Sequence, residues 1–232
     1  MKPKAKVKIE DPLKAIYHLK IHLSGISPMI YRRFTIPGDT HIAQLHHLIQ
    51  IVMGWYNDHL HNFHIWGVDF GISYYGQPGF RNDPCKVLIG DFGFKAGDQF
   101  TYIYDYGDYW LHEIRVEKVE NASQEGILPK CIEGKRGCPP EDCGGAIGYE
   151  DLLLDYFIWQ RETLLDLLEK LEAGRRPDMD DYYDDVPYWY RGHKPEHFDK
   201  ARINKAIQKM YQKKGDCSFW KTLGGYEDFI ED

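Results

Sequence analysis

The amino-acid sequence predicts an α+β fold: an antiparallel sheet with a packed N-terminal helix and a C-terminal helical block. Two observations predict this class. Segments with the period-2 alternation of half-buried strands dominate the first half of the chain, whereas helical periodicity dominates after Tyr149. Strands and helices in separate blocks are typical of α+β domains rather than of alternating βαβ units.

The clearest strand runs from Ala15 to Leu23, where apolar and polar residues alternate cleanly. One face carries Ala15, Tyr17, Leu19, Ile21 and Leu23, and the other carries His18, Lys20 and His22. A second strand is predicted from Ile30 to Ile36, after a turn over 25–28. The simplest connection between these two strands is a hairpin.

A helix should follow, with Thr40 as its N-cap and Gly54 as its stop. Its apolar residues recur at helical spacing: Ile42, Leu45, Leu48, Ile49, Val52 and Met53. On a helical wheel His47 points away from this stripe and His46 lies at its margin. Both histidines are therefore expected at the surface.

Further strands are predicted at His59–Trp66, Phe100–Tyr106 and Trp110–Val119. Gly107 and Asp108 supply the turn between the last two, because both residue types tolerate positive φ. On this reading His61 lies on the same strand face as Phe63.

The second half of the chain is predicted to be helical. One helix is expected from Tyr149 to Leu171, ended by Gly174 and Pro177, and another over roughly 195–213. Between them, the aspartate-rich segment 178–185 is interpreted as a solvated connector, with a metal-binding acidic loop as the alternative.

Composition excludes several classes of protein. The 232 residues carry a net charge of −7, which disfavours nucleic acid as the direct ligand. No stretch approaches the ~18 consecutive apolar residues of a membrane span. The N-terminal lysines precede no apolar run, so a secretory signal is not expected. Five cysteines without paired spacing indicate a reducing cytoplasm.

The most informative segment is the eight-residue loop Cys138–Gly145, Cys-Pro-Pro-Glu-Asp-Cys-Gly-Gly. Its prolines fix backbone torsions and its glycines permit unusual ones, so it is predicted to be a shaped loop. Shaped loops rich in ligand-type side chains are typical places for function.

Several segments together resemble one family, the plasmid pRiA4b ORF-3-like proteins. The matching blocks, in order, are Ile30–Pro37, Leu45–Gln50, Met53–Trp55, His59–Phe63, Tyr104–Asp108 with Trp110–His112, Pro139–Gly145 with Gly148–Tyr149, and Pro195–Asp199 with Ile203–Asn204. The resemblance covers residues 14–208. It predicts a domain over 14–208, preceded by a flexible tail over 1–13 and followed by an extension over 209–232.

The resemblance implies an α+β fold, an association with plasmids and insertion elements, and no assigned activity. Some members carry the label of transposon resolvase, but this sequence has no serine-recombinase motif and no recognisable DNA-reading helix. The helical stretch 158–171 and the residues after Tyr211 are not blocks of the family.

Three interpretations of the candidate residues stay open. The first is a zinc site built from Cys131, Cys138 and Cys143, with His112, His61 or His59 as the fourth ligand. Against it, the intervals between these cysteines are longer than a Cys-x-x-Cys knuckle, and free cysteines are commonly small buried residues.

The second interpretation is a catalytic site for a divalent metal or for acid–base chemistry. If the strands pair, His61 and His112 meet near Asp105 and Asp108, with Glu141 and Asp142 added from the loop; together these resemble a metal-dependent hydrolase site for phosphoesters or nucleic acids. The alternative for each is structural: the aspartates make the turn, the loop carboxylates bond to backbone amides and the histidines lie in the core.

The third interpretation is a binding module for a protein or peptide, since aromatic residues with polar tips are favoured at recognition surfaces. Such residues cluster in one stretch: Tyr102, Tyr104, Tyr106, Tyr109 and Trp110. The sequence favours this last reading, a non-catalytic cytoplasmic accessory module, whose site is formed by the 59–63 strand, the 104–112 hairpin and the 141–145 loop.

Overall fold

The computed structural model describes residues 8–71, 79–122, 129–178, 182 and 193–212. Within them, seven strands form one antiparallel sheet in the order β4-β3-β5-β6-β1-β2-β7. The strands are β1 (Ala15–Leu23), β2 (Tyr31–Pro37), β3 (His61–Ile65), β4 (Val68–Gly71), β5 (Gln99–Tyr104), β6 (Trp110–Asn121) and β7 (Lys130–Lys135). The helices are α1 (Ile42–Met53), α2 (Gly145–Glu172) and α3 (Lys200–Gln212), with single 3₁₀ turns at 12–14 and 89–92. The predicted α+β class is confirmed.

The β1–β2 hairpin agrees closely with its sequence pattern. β1 has the predicted bounds, and all five residues of its apolar face are buried, whereas His18, Lys20 and His22 on the opposite face are only partly covered. Strict alternation over the seven residues 17–23 favours the register in which the apolar face meets the core. The sheet is therefore anchored by the segment that the sequence defines best.

Helix α1 corrects two predictions. It begins at Ile42, with His41 rather than Thr40 as N-cap, and the His41 backbone N–H donates to the Gln44 side chain at 2.9 Å. His46 and His47, expected at the surface, are both buried. The reason is that His46 packs against His61 of β3 and Tyr102 of β5, so the sheet covers a wider arc of α1 than its apolar stripe.

Strand β7 was not predicted, because only Cys131 among its six residues is buried and no alternation is visible. It is an edge strand, and edges expose unpaired backbone groups. Asn204 of α3 covers this edge: its side chain accepts from the Cys131 N–H and donates to the Cys131 carbonyl, both at 2.9 Å. One amide thus fixes α3 to the sheet.

Helix α2 is continuous over 28 residues and begins four residues before the predicted Tyr149. Of the acidic segment 178–185, only Asp178 and Tyr182 are described, so its predicted role lies outside the described residues. The same holds for most of the predicted tail and extension. Among the described residues, no helix combines the length and apolar character needed to cross a bilayer.

Candidate functional site

The three segments singled out from the sequence meet at one end of the sheet. His61 at the start of β3 is paired with Tyr104 at the end of β5, and Tyr104 is paired with Trp110 at the start of β6. The turn 105–109 therefore lies beside the chain that enters β3, and the Asp105 N–H donates to the Leu60 carbonyl at 2.9 Å.

The 138–145 loop is attached to this end of the sheet by side chains outside it. The Trp55 indole donates to the Pro139 carbonyl at 2.9 Å, and the Asp108 carboxylate accepts from the Gly144 N–H at 3.2 Å. Asp108, which the structural alternative places only in its own turn, thus also bonds to the backbone of the loop. These contacts give the shaped loop that its prolines and glycines predicted.

Glu141 is the most heavily used carboxylate of the loop. It accepts a hydrogen bond from the Tyr56 N–H at 2.7 Å and another from the Tyr104 hydroxyl. The Tyr104 hydroxyl in turn accepts from the backbone N–H groups of Asp58 and His59, at 3.0 and 3.3 Å. Burial raises the pKa of Glu141, and burial together with the Glu141 charge raises the pKa of Tyr104. Glu141 therefore joins the loop to the segment before β3.

His61 lies in the core, stacked on His46 with ring centroids 3.4 Å apart and ring planes within 4° of parallel. His46 Nε2 donates to Asn57 Oδ1 at 2.6 Å, which leaves Nδ1 to accept from the Tyr102 hydroxyl at 2.7 Å. Both rings are neutral, since burial lowers the pKa of His46 well below its usual value and that of His61 to about 3.

His112 is also fully buried, on β6, where its Nδ1 is 2.9 Å from the Trp110 carbonyl oxygen. Burial lowers its pKa to about 3. Its ring packs edge-on against Trp55, with centroids 5.3 Å apart. His61 and His112 are thus core histidines in an aromatic cluster. They do not form an open site with Glu141, although the sequence allowed that arrangement.

His59, Asp105 and Asp142 form a different group, in which Asp105 is buried, His59 is half-buried and Asp142 is exposed. The ligand atoms of all three lie within 4.8 Å of one another, and this is the one such group of three among the described His, Cys, Asp and Glu residues. His59 Nε2 is 3.3 Å from Asp142 Oδ1, and its Nδ1 is 3.7 Å from Asp105 Oδ1. Asp105 also accepts from the Gly107 N–H at 2.8 Å, so it makes the turn as well.

Two members of this group have unusual backbone torsions. Asp105 has φ +55° and Asp142 has φ +57°, the left-handed region that non-glycine residues seldom adopt. Aspartate tolerates this region better than most residues because its short side chain bonds locally. The torsions aim both carboxylates toward His59 from separate segments.

The predicted zinc ligands make contacts of other kinds. The Cys131 thiol lies 3.9 Å from the Glu133 carbonyl oxygen, whereas the Cys138 thiol contacts the sulfur of Met53 at 3.5 Å. Burial raises the pKa of all three thiols, that of Cys131 to about 11 and that of Cys143 to about 12. Neither these cysteines nor His112 belongs to the described three-ligand group, and zinc binding stays a prediction. Cys85 is disulfide-bonded, which disagrees with the reducing compartment that the cysteine spacing indicated.

Two aromatic side chains of the turn are exposed beside this group. Tyr106 is 43% exposed and Tyr109 is 58% exposed, whereas Tyr102, Tyr104 and Trp110 are buried. The aromatic stretch that suggested a binding module is therefore divided: three of its five members build the core, and two remain at the surface.

Sequence reasoning missed His46, Asn57 and Gln50, which surround the Tyr102 hydroxyl and His61. The signal available was the combination of two histidines and a glutamine in one turn-spaced run on α1. It pointed to the surface because no sequence pattern shows that β3 and β5 cover that side of α1.

Comparison with known proteins agrees with this architecture. A family model described as plasmid pRiA4b ORF-3-like protein matches residues 15–205. An uncharacterized protein, y4hQ of Sinorhizobium fredii, is 34% identical over 142 residues, which cover 59% of this chain and 71% of that protein. The crystal structure of MM3350, a protein of unknown function from Methanosarcina mazei, aligns with a TM-score of 0.55 at 30% identity, covering 80% of this chain and 96% of that one.

Proposed function

We propose that this chain, which belongs to the plasmid pRiA4b ORF-3-like family, is a non-catalytic module that binds a protein or peptide and serves as an accessory of mobile elements. The binding face is the surface of the 105–109 turn together with His59 and Asp142. The observation that carries the proposal is the exposure of Tyr106 and Tyr109 there. The link to mobile elements rests on the plasmid origin in the family's name.

The fates of the polar residues support binding rather than catalysis. His61 and His112 are neutral core side chains, and Glu141 is occupied by Tyr56 and Tyr104. A catalytic acid or base must reach a substrate atom within hydrogen-bond distance. Three of the candidate residues are therefore better explained by the stability of this end of the sheet.

The chemistry of the face indicates the class of partner. Tyrosine rings supply apolar area with a polar tip, and exposed carboxylates such as Asp142 attract cations. A peptide segment with apolar and basic side chains complements such a face, and a basic side chain would gain further from the tyrosine rings. Phosphate-rich nucleic acid is disfavoured by the same carboxylates.

Affinity capture tests the proposal. Immobilised full-length chain is exposed to an extract of the cells that make it, in parallel with Tyr106→Ser/Tyr109→Ser and with Trp66→Ser, an exposed aromatic residue of the β3–β4 turn. We expect a protein that the wild type and the Trp66 variant retain and the double variant loses. Equal retention by all three would contradict the proposed face.

A second function is favoured by one observation, the convergence of His59, Asp105 and Asp142. One imidazole and two carboxylates suit zinc or manganese and leave coordination positions for water, so the same surface fits a metal-dependent hydrolase. Metal content of the untagged chain by inductively coupled plasma mass spectrometry decides this. About one ion per chain, lost in His59→Ala, would support the hydrolase; no ion after incubation with zinc or manganese would exclude it.

A further inference from the structure

Helix α2 carries a broad apolar face that is open to solvent. Eight of its large apolar residues are 41% to 77% exposed: Ile147, Leu154, Phe157, Ile158, Leu164, Leu165, Leu168 and Leu171. At 100° per residue they fall within an arc of about 140°. Contiguous apolar surface of this size on a soluble protein marks an interaction site.

The other side of α2 is already covered within the chain. Leu152, Trp159, Leu167 and Lys170 are partly buried there, and the Lys170 ammonium donates to the Tyr182 hydroxyl at 2.8 Å. The Lys170 ammonium also lies 4.8 Å from the centre of the Tyr182 ring. The open face is thus a second, separate surface of the helix.

The open face has the spacing of a helix-pairing seam. Positions 147, 150, 154, 157, 161 and 164 follow one another at intervals of 3, 4, 3, 4 and 3 residues, as a and d positions of a coiled coil do. Four of them are Ile147, Leu154, Phe157 and Leu164. The two polar ones are Glu150 and Arg161, which are exposed and, among the described residues, form no ion pair within the chain.

This series of intervals is the same when read backwards. If Ile147 of one α2 lies beside Leu164 of an antiparallel second α2, then Leu154 lies beside Phe157. The same register places Glu150 of each helix beside Arg161 of the other. Every apolar position then meets an apolar one, and the two charges that interrupt the seam meet with opposite sign. A parallel pair in register would instead place like charges together, at a cost.

We propose that this face of α2 binds a second copy of the chain, as an antiparallel, two-fold symmetric helix pair over 147–164. Two-fold dimers bury the same patch on both subunits, which the reversible spacing satisfies. A stable interface of standard size buries about 800 Å² on each partner, and the four apolar seam residues would form the centre of such an interface.

Light scattering and sedimentation of the full-length chain over a micromolar concentration series test this. We expect a species of twice the 27.2 kDa chain mass. Glu150→Arg and Arg161→Glu should each weaken association by at least about tenfold, because each sets like charges side by side. The double variant Glu150→Arg/Arg161→Glu should restore association. Asp155→Arg, an exposed charge reversal off the seam, is the matched control and should leave association unchanged.

All four substituted forms change only exposed side chains, so circular dichroism should show the same helix content as in the wild type. A chain that stays monomeric throughout the series would overturn the proposal. So would a dimer that neither single charge reversal weakens. The antiparallel register would be overturned by a third outcome. In that outcome the single charge reversals weaken dimerisation and the double variant does not restore it.

Discussion

The Tyr104 hydroxyl on β5 donates a hydrogen bond to the Glu141 carboxylate in the loop before α2. The same carboxylate accepts from the Tyr56 N–H, so one side chain connects the sheet, the chain entering β3 and the loop. Glu141, a candidate metal ligand by residue type, is therefore explained by what it does for the fold.

Replacing Glu141 should destabilise the protein. Glu141→Ala leaves the Tyr56 N–H and the Tyr104 hydroxyl without their acceptor, and hydrogen bonds to charged groups contribute about 1.5–3 kcal/mol each. We expect the free energy of unfolding to fall by about 3 kcal/mol in urea titrations. Asp142→Asn, at the exposed neighbour, is the matched control, because asparagine also tolerates the left-handed backbone there. It should change the free energy of unfolding by less than about 0.5 kcal/mol. Equal free energies of unfolding for the two variants would show that the hydrogen bonds of Glu141 do not stabilise the fold.

The free energy of unfolding should also decrease as the pH is lowered, because the folded protein buries neutral histidines. The imidazoles of His46, His61 and His112 take up protons near pH 6.5 in the unfolded chain, whereas burial lowers the folded-state pKa of His61 and His112 to about 3 and that of His46 well below 6.5. Below pH 6.5 the unfolded chain therefore binds more protons. Each such histidine makes the free energy of unfolding fall by about 1.4 kcal/mol per pH unit as pH decreases.

The variant His61→Phe tests this relationship, since it removes one titrating ring and leaves an aromatic one. The dependence of unfolding free energy on pH between pH 6 and 4 should become shallower by about 1.4 kcal/mol per pH unit. Phe63→Leu, on the same strand face, should lower stability without changing that dependence. An unchanged slope in His61→Phe would mean that His61 is protonated in the folded protein.

Changing Arg32 to lysine should lower the free energy of unfolding much more than changing the adjacent Arg33 to lysine. Arg32 is buried; its guanidinium donates to the carbonyl groups of Val52 (2.7 Å), Tyr31 (2.8 Å) and Lys135 (3.0 Å), which joins α1, β2 and β7. Lysine lacks the planar fork that makes these bonds together. Arg32→Lys should therefore lower the free energy of unfolding, measured by heat or urea, by about 3 kcal/mol.

Arg33 is the internal control for that experiment. It lies on the opposite face of β2 and pairs with the surface carboxylates of Glu117 and Glu133, both at 2.9 Å. Partly exposed ion pairs contribute little, so Arg33→Lys should cost less than about 1 kcal/mol. Similar decreases in the free energy of unfolding for the two variants would contradict the conclusion that buried Arg32 joins α1, β2 and β7.

The sequence predicted the parts of the fold that alternation or helical spacing specifies. β1 has the predicted bounds because apolar and polar residues alternate over 17–23 and the two residues before them are apolar. His46 and His47 were placed on the wrong side because a wheel shows the apolar stripe of α1 and not how much of the helix the sheet covers. The Tyr104–Glu141 contact joins residues 37 positions apart, a distance over which no sequence period operates. The His59, Asp105 and Asp142 group likewise depends on two positive-φ aspartates.

The binding affinity of the captured partner tests the central claim most directly. Isothermal titration of that partner into the wild-type chain, Tyr106→Ser/Tyr109→Ser and Trp66→Ser compares the proposed face with an exposed aromatic elsewhere. Loss of two interface tyrosines should weaken binding by at least about tenfold, while the Trp66 variant binds as the wild type does. Equal affinity for all three chains would contradict the claim that the 105–109 turn is the binding face.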